Sequence, residues 1–181
     1  MTDRDRADRH VERWLPVLPD LDPDIEKAVT RMSFLTRHLR AVKERSLADL
    51  DLPAHEFDTL HALAGRRGRA APTELADDLR MAPASVTARV DALLRRGFVR
   101  RIPSTVDRRR VDVELTDAGH ASWRAAMDVL GHEEHRLLAV LTPAERRVLA
   151  DLLRRVSLQA ERAADTAAGK TPGGDRTSLT G

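Results

Sequence analysis

The sequence of 181 residues has no cysteine and no tyrosine, and aromatic residues make up only 3% of it. Without cysteine the chain can form neither disulfides nor thiolate metal sites, and it cannot sense redox state through a thiol. Long runs of Ala, Leu, Arg and Glu favour helices, because these residues lose little conformational entropy in a helix. A mainly helical fold is therefore expected, and an all-β fold is not.

Long hydrophobic runs are missing from the start of the chain. Residues 1–14, MTDRDRADRHVERW, are charged throughout. This composition fits neither a signal peptide nor a membrane-spanning helix. We therefore expect a cytoplasmic protein that makes no contact with a membrane.

The common sequence motifs of enzymes are also absent. The chain has no nucleophile elbow, phosphate-binding loop, dinucleotide fingerprint or metal-ligand cluster. The segment HEEHR begins like the zinc-protease motif H-E-x-x-H, but Arg136 stands where the second His is required. His55, Asp58 and His61 share one predicted helical face, yet a metal site would need further ligands. We expect no enzymatic activity, no bound metal and no cofactor.

Positive charge is concentrated in one segment, although the net charge is only +2. Residues 65–111 contain twelve Arg, no Lys and five acidic residues, a balance of +7, whereas the rest of the chain carries −5. Guanidinium groups suit planar contacts with phosphates and with guanine edges. A basic segment of this kind indicates a nucleic-acid partner.

Two short helical periods joined by a tight turn lie inside this basic segment. Leu75 and Leu79 lie on the first predicted helix, and Pro83 opens a second that ends at Gly97. This is the helix-turn-helix pattern, whose second helix enters the major groove of double-stranded DNA with its N-terminal residues forward. The predicted DNA-contacting residues of this helix are Pro83, Ala84, Ser85, Thr87, Ala88, Arg89 and Arg95.

After Gly97 the hydrophobic period changes from 3.6 to 2. Residues 98–102 and 111–115 alternate as half-buried strands, and the loop between them ends in an arginine run. A hairpin after a recognition helix is a wing, and its arginines suit a narrow minor groove. We expect Asp107 to orient Arg109 through a charge-assisted hydrogen bond. The predicted wing contacts to DNA are Arg108, Arg109 and Arg110.

Long apolar-periodic helices flank the predicted DNA-binding lobe at 53–116. The helices at 21–50 and 117–162 carry more apolar surface than a small winged core can cover, so we expect them to pair with a second copy. The fold class is thus mainly α with a small β-hairpin wing, a winged helix-turn-helix with long N- and C-terminal dimerisation helices. A homodimer predicts a near-palindromic operator. An N-terminal arm at 1–20 and a disordered tail at 163–181 complete the expected organisation.

From about Pro53 to Gly119 the sequence resembles the MarR family of winged-helix repressors. The segments PTELADDL, ASVTARVDALLRRGFVRR, DRRR and VELTDAG carry the resemblance. Family members often have an acid and a further Arg just before the Asp-Arg-Arg of the wing, where this chain has Ser104 and Val106. The resemblance implies a dimeric regulator released from DNA by a small anionic aromatic ligand.

The resemblance extends to the urate-responsive branch of the family, which adds an N-terminal arm bearing a Trp. Trp14, Asp58, Arg89 and Arg101 match the four residues that this branch uses for its ligand. The match implies a purine, typically urate, held between the dimer helices and the DNA-binding lobe. An indole and a guanidinium suit a flat anionic heterocycle, and Asp58 would respond to its charge.

The sequence is also compatible with other effectors and with other roles for these four residues. Within the family, the effector could be a different aromatic acid or a phenol, and the protein could also bind DNA without any ligand. Each of the four residues also has a structural role available to it. Trp14 can anchor the arm, Asp58 can be solvated, Arg89 can bind a phosphate, and Arg101 can pair with a neighbouring acid.

Overall fold

A computed structural model of the protein describes residues 4–103 and 111–168. In chain order the helices are α1 (Arg6–Trp14), α2 (Pro23–Ala48), α3 (Ala54–Gly65), α4 (Pro72–Leu79), α5 (Pro83–Arg95), α6 (Asp117–Leu138) and α7 (Pro143–Ala168). The strands are β1 (Arg69–Ala70), β2 (Val99–Pro103) and β3 (Val111–Leu115). The prediction of a mainly α fold with a small β-hairpin wing is confirmed, because a small antiparallel sheet accompanies a mainly helical chain.

Side-chain caps mark the starts of several helices. The Asp22 carboxylate accepts hydrogen bonds from the first amides of α2, and Pro23 follows it as the first helical residue. At α7 a capping box forms, since Thr142 and Glu145 bond each other's backbone amides at 3.3 and 2.8 Å. The hydrogen bonds from Thr142 hold the pKa of Glu145 below its ordinary value. These caps satisfy amides that have no partner within the helix.

The sheet has the order β1-β3-β2 and is antiparallel throughout. Its first strand, β1, lies in the glycine-punctuated segment 66–71, whose composition is typical of a loop. Arg67 and Gly68 adopt positive φ angles of 58° and 85°, which turn the chain so that Arg69 pairs with Glu114 of β3. A strand of two residues is too short to show an alternating pattern, so periodicity could not reveal it.

The hydrophobic core of the lobe lies where α3, α4, α5 and the sheet meet. Its fully buried side chains include Leu60, Leu63, Leu75, Val86, Leu93 and Val113. These residues come from the apolar stripes that marked the elements in the sequence. Because the apolar side chains of α5 pack into this core, the opposite face of its first turns is exposed to solvent.

Contacts within the chain divide it into two units at residue 134. In the first unit, α2 exposes Ile25 and Val29, and in the second, α7 exposes Val148, Leu152 and Val156.

Helix α7 continues to Ala168, so residues 163–168 are helical although they were expected to begin a disordered tail. Their alanine-rich sequence has a high helix propensity. None of the helices in the described ranges has an apolar stretch long enough to cross a bilayer.

The adjacent residues Arg95 and Arg96 provide a matched test of how α5 is anchored. Arg96 donates to buried Glu56 at 2.6 Å and to the Asp51 carbonyl oxygen at 2.7 Å, whereas Arg95 is exposed. We expect Arg96→Ala to lower the free energy of unfolding by about 2 kcal/mol, because it leaves the buried carboxylate unpaired. Arg95→Ala should change it by less than about 0.5 kcal/mol. Equal effects in urea denaturation would contradict this anchoring role.

Candidate functional site

The N-terminal turns of α5 present a surface of small side chains. Pro83, Ala84, Ser85, Thr87 and Ala88 are all exposed, while Val86 among them and Val90 one turn later are buried. The exposed residues are the ones predicted to approach DNA, and their small size allows close approach of the backbone. Arg89 lies partly buried at the next turn. Their contacts with DNA stay a prediction.

Arg95 lies at the opposite end of the same helix. It is exposed in the last turn of α5. The helical rise places it about 15 Å along the axis from Ser85. The structure therefore separates Arg95 from the small residues with which it was grouped, and a contact between Arg95 and bases would need a different part of the DNA surface.

The turn before α5 depends on a left-handed residue. Arg80 ends α4 with φ 50° and ψ 51°, and the Met81 amide donates to the Ala76 carbonyl at 3.0 Å. Ala82 is extended and Pro83 then fixes the first helical φ. This local geometry sets the direction of the predicted recognition helix relative to α4.

The base of the predicted wing is held by paired charges. Arg69 donates to Asp112 at 2.9 Å and to the Pro103 carbonyl at 2.8 Å, which ties β1 to both wing strands. Arg100 of β2 donates to Glu114 of β3 at 2.6 Å. The predicted contacts Arg108, Arg109 and Arg110, and Asp107 with them, lie outside the described residues. The wing strands themselves form as predicted.

An open groove of about 800 Å³ lies between α3, α4 and α5. It is lined by Asp58, His61, Ala62, Gly65, Arg66, Asp78, Leu79 and Arg89. Two of the four predicted ligand residues, Asp58 and Arg89, are thus brought together. His61, Arg66 and Asp78 were not predicted to belong to this site. The sequence contains a signal for His61 alone, which lies one turn after Asp58 on the same helix.

Asp58 and Arg89 differ in how far their charges are neutralised. The Asp58 carboxylate accepts a hydrogen bond from Lys43 Nζ at 2.7 Å, and that ammonium also lies 5.0 Å from the centre of the Phe57 ring. Arg89 donates to the His55 carbonyl at 3.4 Å and forms no ion pair among the described residues. Arg89 is therefore a cation available to an anionic ligand.

The other cation of the groove is already engaged. Arg66 donates to both carboxylate oxygens of Asp78 at 2.5 and 3.0 Å and also lies 3.1 Å from Glu74. The Arg66 guanidinium holds the pKa of the Asp78 carboxyl below its ordinary value. Its own pKa is raised by the same hydrogen bonds. Both groups therefore stay charged and paired, which leaves Arg89 as the principal anion-binding group.

The other two predicted ligand residues do not line this groove. Arg101 donates to Asp91 of α5 at 2.8 Å, the kind of pairing with a neighbouring acid that the sequence left open. Trp14 ends α1 with 40% of its surface exposed and with its ring 6.3 Å from that of His10. Buried Ala7 and Val11 anchor the arm instead. A ligand role for Trp14 and Arg101 stays a prediction.

Charged contacts hold the arm to α2. Arg31 donates to Asp5 at 2.8 Å and to Asp8 at 2.9 Å, and His10 lies 3.0 Å from Glu26. The hydrogen bond from Arg31 holds the pKa of Asp5 well below its ordinary value. The arm is therefore an ordered helix docked on α2. Among the residues described, no group of three or more metal-ligating side chains occurs in the arm or elsewhere.

Comparison with known proteins agrees with this architecture. The MarR family model matches residues 50–110 of the chain. The transcriptional regulator PecS of Dickeya dadantii is 30% identical over 149 residues, which cover 81% of this chain and 89% of PecS.

Solved structures with the same fold include MarR of Escherichia coli. Its apo form is 26% identical, with a TM-score of 0.60 over 70% of this chain and 94% of that chain. A mutant MarR complexed with operator DNA is 24% identical, with a TM-score of 0.59 over 79% of this chain and 96% of that chain. The helix order, the turn before α5, the wing and these similarities lead to one conclusion: the chain belongs to the MarR family and is a winged helix-turn-helix transcriptional regulator, not an enzyme.

Proposed function

We propose that this regulator is a homodimeric repressor that leaves a near-palindromic operator when it binds urate or a related purine. The observation that carries the proposal is the groove shared by Asp58 of α3 and Arg89 of α5. Arg89 belongs to the predicted recognition helix, so a ligand held by Arg89 acts directly on the element that reads DNA.

The DNA-binding half of the proposal is supported by shape and charge together. Exposed small residues occupy the first turns of α5, and the surrounding segment at 65–111 carries a balance of +7. In winged helices, the side chains that contact bases lie in the first turns of the recognition helix. Arginines around that helix neutralise phosphates. The E. coli MarR mutant complexed with operator DNA shares the fold.

The chemistry of the groove favours a purine. An oxopurine presents N–H donors and carbonyl acceptors on one planar anionic ring system. Asp58 can accept from such an N–H group, and Arg89 can donate to a carbonyl or to the delocalised negative charge. A ligand with both kinds of group satisfies both residues, whereas a simple aromatic acid satisfies Arg89 alone.

Charge also distinguishes this groove from a neighbouring cavity. Asp58 lines a second cavity of about 440 Å³ together with residues of α2 and α6. That cavity contains Glu44, Glu133 and Glu134, and its acidic groups outnumber its cations Arg40 and Lys43. An anion is therefore expected to prefer the groove that contains Arg89.

A ligand in the groove can weaken DNA binding through α5. The first turns of α5 and Arg89 lie on one short rigid helix, so a shift that lets Arg89 bind the ligand also moves Ser85 and Thr87. The ligand must bind the conformation that is incompetent for DNA more tightly than the competent one. Each tenfold difference in this preference corresponds to about 1.4 kcal/mol.

The proposed dimer is supported by the exposed apolar side chains on α2 and α7. Ile25 keeps 63% and Val148 59% of their surface exposed in the single chain. Repeated large apolar side chains on exposed helical faces are typical of an interface. A two-fold axis would then present two copies of α5 to consecutive major grooves.

The second candidate is an aromatic acid or phenol as effector. It is favoured by the positions of Trp14 and Arg101, which do not line the groove. Among the described residues of the groove, Arg89 is then the cation without an acidic partner, and it would make most of the contacts with such a ligand. Such a ligand needs no acceptor at Asp58. Substitution of Asp58 therefore discriminates between the two effectors.

We expect Asp58→Asn to weaken the response to urate by about 10-fold, because a charged acceptor of the ligand's N–H group is lost. The test is an electrophoretic mobility shift on DNA upstream of the protein's own coding sequence, with urate, xanthine and salicylate titrated in. Operator affinity without ligand should change by less than about 3-fold. Asp128→Asn, an exposed position on α6, is the matched control and should respond like wild type.

Each outcome of this experiment has a clear meaning. Release by urate and xanthine but not by salicylate supports the purine, and release by salicylate alone supports the second candidate. No release by any of the three contradicts a ligand-responsive repressor of this class. A monomer in sedimentation of the same sample at micromolar concentration would contradict the dimer.

A further inference from the structure

His61 occupies a position in the groove that the proposed function does not yet use. It follows Asp58 by three residues on α3, so the two side chains share one face of the helix. Its side chain is exposed and lines the same groove as Asp58 and Arg89. A ligand in contact with Asp58 therefore lies in the same groove as His61.

Two neighbouring rings hold the His61 imidazole in place. The ring stacks on buried Phe57, with centres 5.5 Å apart and planes inclined by 24°. On another side the indole nitrogen Nε1 of Trp123 donates to His61 Nδ1 at 3.2 Å. These contacts hold the imidazole in position, and they engage its Nδ1 atom in a hydrogen bond.

The contact with Trp123 determines the tautomer of His61. An indole N–H can only donate, so Nδ1 of His61 must act as the acceptor. In the neutral imidazole one nitrogen accepts and the other carries the proton, so the proton lies on Nε2. With Nδ1 engaged, the remaining polar atom of His61 is a hydrogen-bond donor.

We propose that His61 is a ligand-binding residue that donates its Nε2–H to a carbonyl oxygen of the purine, and that Trp123 is the positioning residue that sets this tautomer. This inference rests on the proposed function, because it assigns a contact within the same groove. Asp58 accepts and His61 donates on one helical face, so the pair matches a ring edge on which an N–H group lies beside a carbonyl. Oxopurines have such edges, and simple aromatic acids do not.

The structure also suggests a purely structural role for His61, which is to hold Trp123 against α3. The two roles use different nitrogens and can be separated by substitution. An Asn side chain can place an acceptor near the position of Nδ1, whereas the amide nitrogen of Gln reaches the position of Nε2. His61→Asn keeps the acceptor for Trp123 and loses the donor to the ligand, while His61→Gln does the reverse.

We expect His61→Asn to lose about 10-fold in urate affinity, and His61→Gln to stay within about 3-fold of wild type. Isothermal titration calorimetry with urate measures both variants beside wild type and Asp58→Asn. Salicylate affinity should be equal in His61→Asn and wild type. The inference is overturned if His61→Asn binds urate like wild type, or if His61→Gln loses as much as His61→Asn.

The same titrations distinguish failure of this inference from failure of the proposed function. If wild type binds neither urate nor xanthine, the proposed purine site is wrong, and the proposed role of His61 is wrong as well. If wild type binds urate and Asp58→Asn weakens binding, but His61→Asn has no effect, only the assignment of His61 is wrong.

The role of Trp123 has a readout that needs no ligand. Long-range ¹H–¹⁵N NMR spectra at about pH 8, assigned with His61→Asn, should show Nε2 protonated and Nδ1 unprotonated in wild type. Trp123→Phe removes the indole donor and should allow both tautomers, with a urate affinity about 2-fold to 4-fold lower. A protonated Nδ1 in wild type would overturn the inference.

Discussion

Gly119→Ala is expected to destabilise the protein by about 4 kcal/mol or more, which is a large part of the stability of an ordinary domain. Gly119 lies in the first turn of α6, and a Cβ atom there would be 1.9 Å from the carbonyl oxygen of Phe98. The clashing atom is backbone, and it accepts a hydrogen bond from the Thr116 amide at 3.0 Å. The contact cannot be relieved without moving the start of the wing.

Gly131→Ala is the matched control for this substitution. Gly131 lies on the same helix, and a Cβ there would meet nothing within 4 Å. Alanine at that position should stabilise the protein by about 1 kcal/mol, since Gly is a poor residue in a helix interior. Urea denaturation of both variants measures the difference. A Gly119→Ala protein as stable as wild type would show that α6 and the wing strand are not packed as described.

Gly119 also illustrates what the sequence reveals and what it does not. The resemblance included Gly119 in the segment VELTDAG, but no local pattern explains why a glycine is needed inside a helix. The reason is the close approach of α6 to Phe98, which lies 21 residues earlier in the chain. A requirement of this kind comes from tertiary packing, and local propensity carries no information about it.

Local signals did predict most of the elements. Pro83 at the start of α5 and Gly97 with φ 70° after it each act within a few residues. The change of period at Gly97 marked the wing strands, which form at 99–103 and 111–115. Such features depend on short-range sterics and hydrogen bonding, which a sequence expresses directly.

The features that could not be predicted from the sequence depend on contacts between residues that lie far apart in the chain. Strand β1 is held by Arg69, whose partner Asp112 lies 43 residues later. The contact between His61 and Trp123 spans 62 residues. The sequence could place Asp58 and Arg89 on their helices, but the groove that joins them exists only after α3 and α5 pack.

Ser85→Glu is expected to reduce operator affinity by about 100-fold or more. Ser85 is exposed at the third position of α5. In the proposed complex a carboxylate at this position would enter the major groove between two phosphate backbones. It would lose a hydroxyl that can contact a base edge, and it would face phosphates of like charge. Fluorescence anisotropy with a labelled operator at fixed salt concentration measures the loss.

This loss cannot be attributed to unfolding of α5. An acid in the first turn of a helix interacts favourably with the helix dipole, so the free energy of unfolding should stay the same or rise by a few tenths of a kcal/mol. Ala118→Glu places the same charge at an exposed position in the first turn of α6, and it should reduce affinity by less than about 3-fold. If Ser85→Glu binds operator as tightly as Ala118→Glu does, the N-terminal turn of α5 does not enter the groove. The proposed route from Arg89 to DNA would then be wrong as well, because it requires that one helix serve both the ligand and the operator.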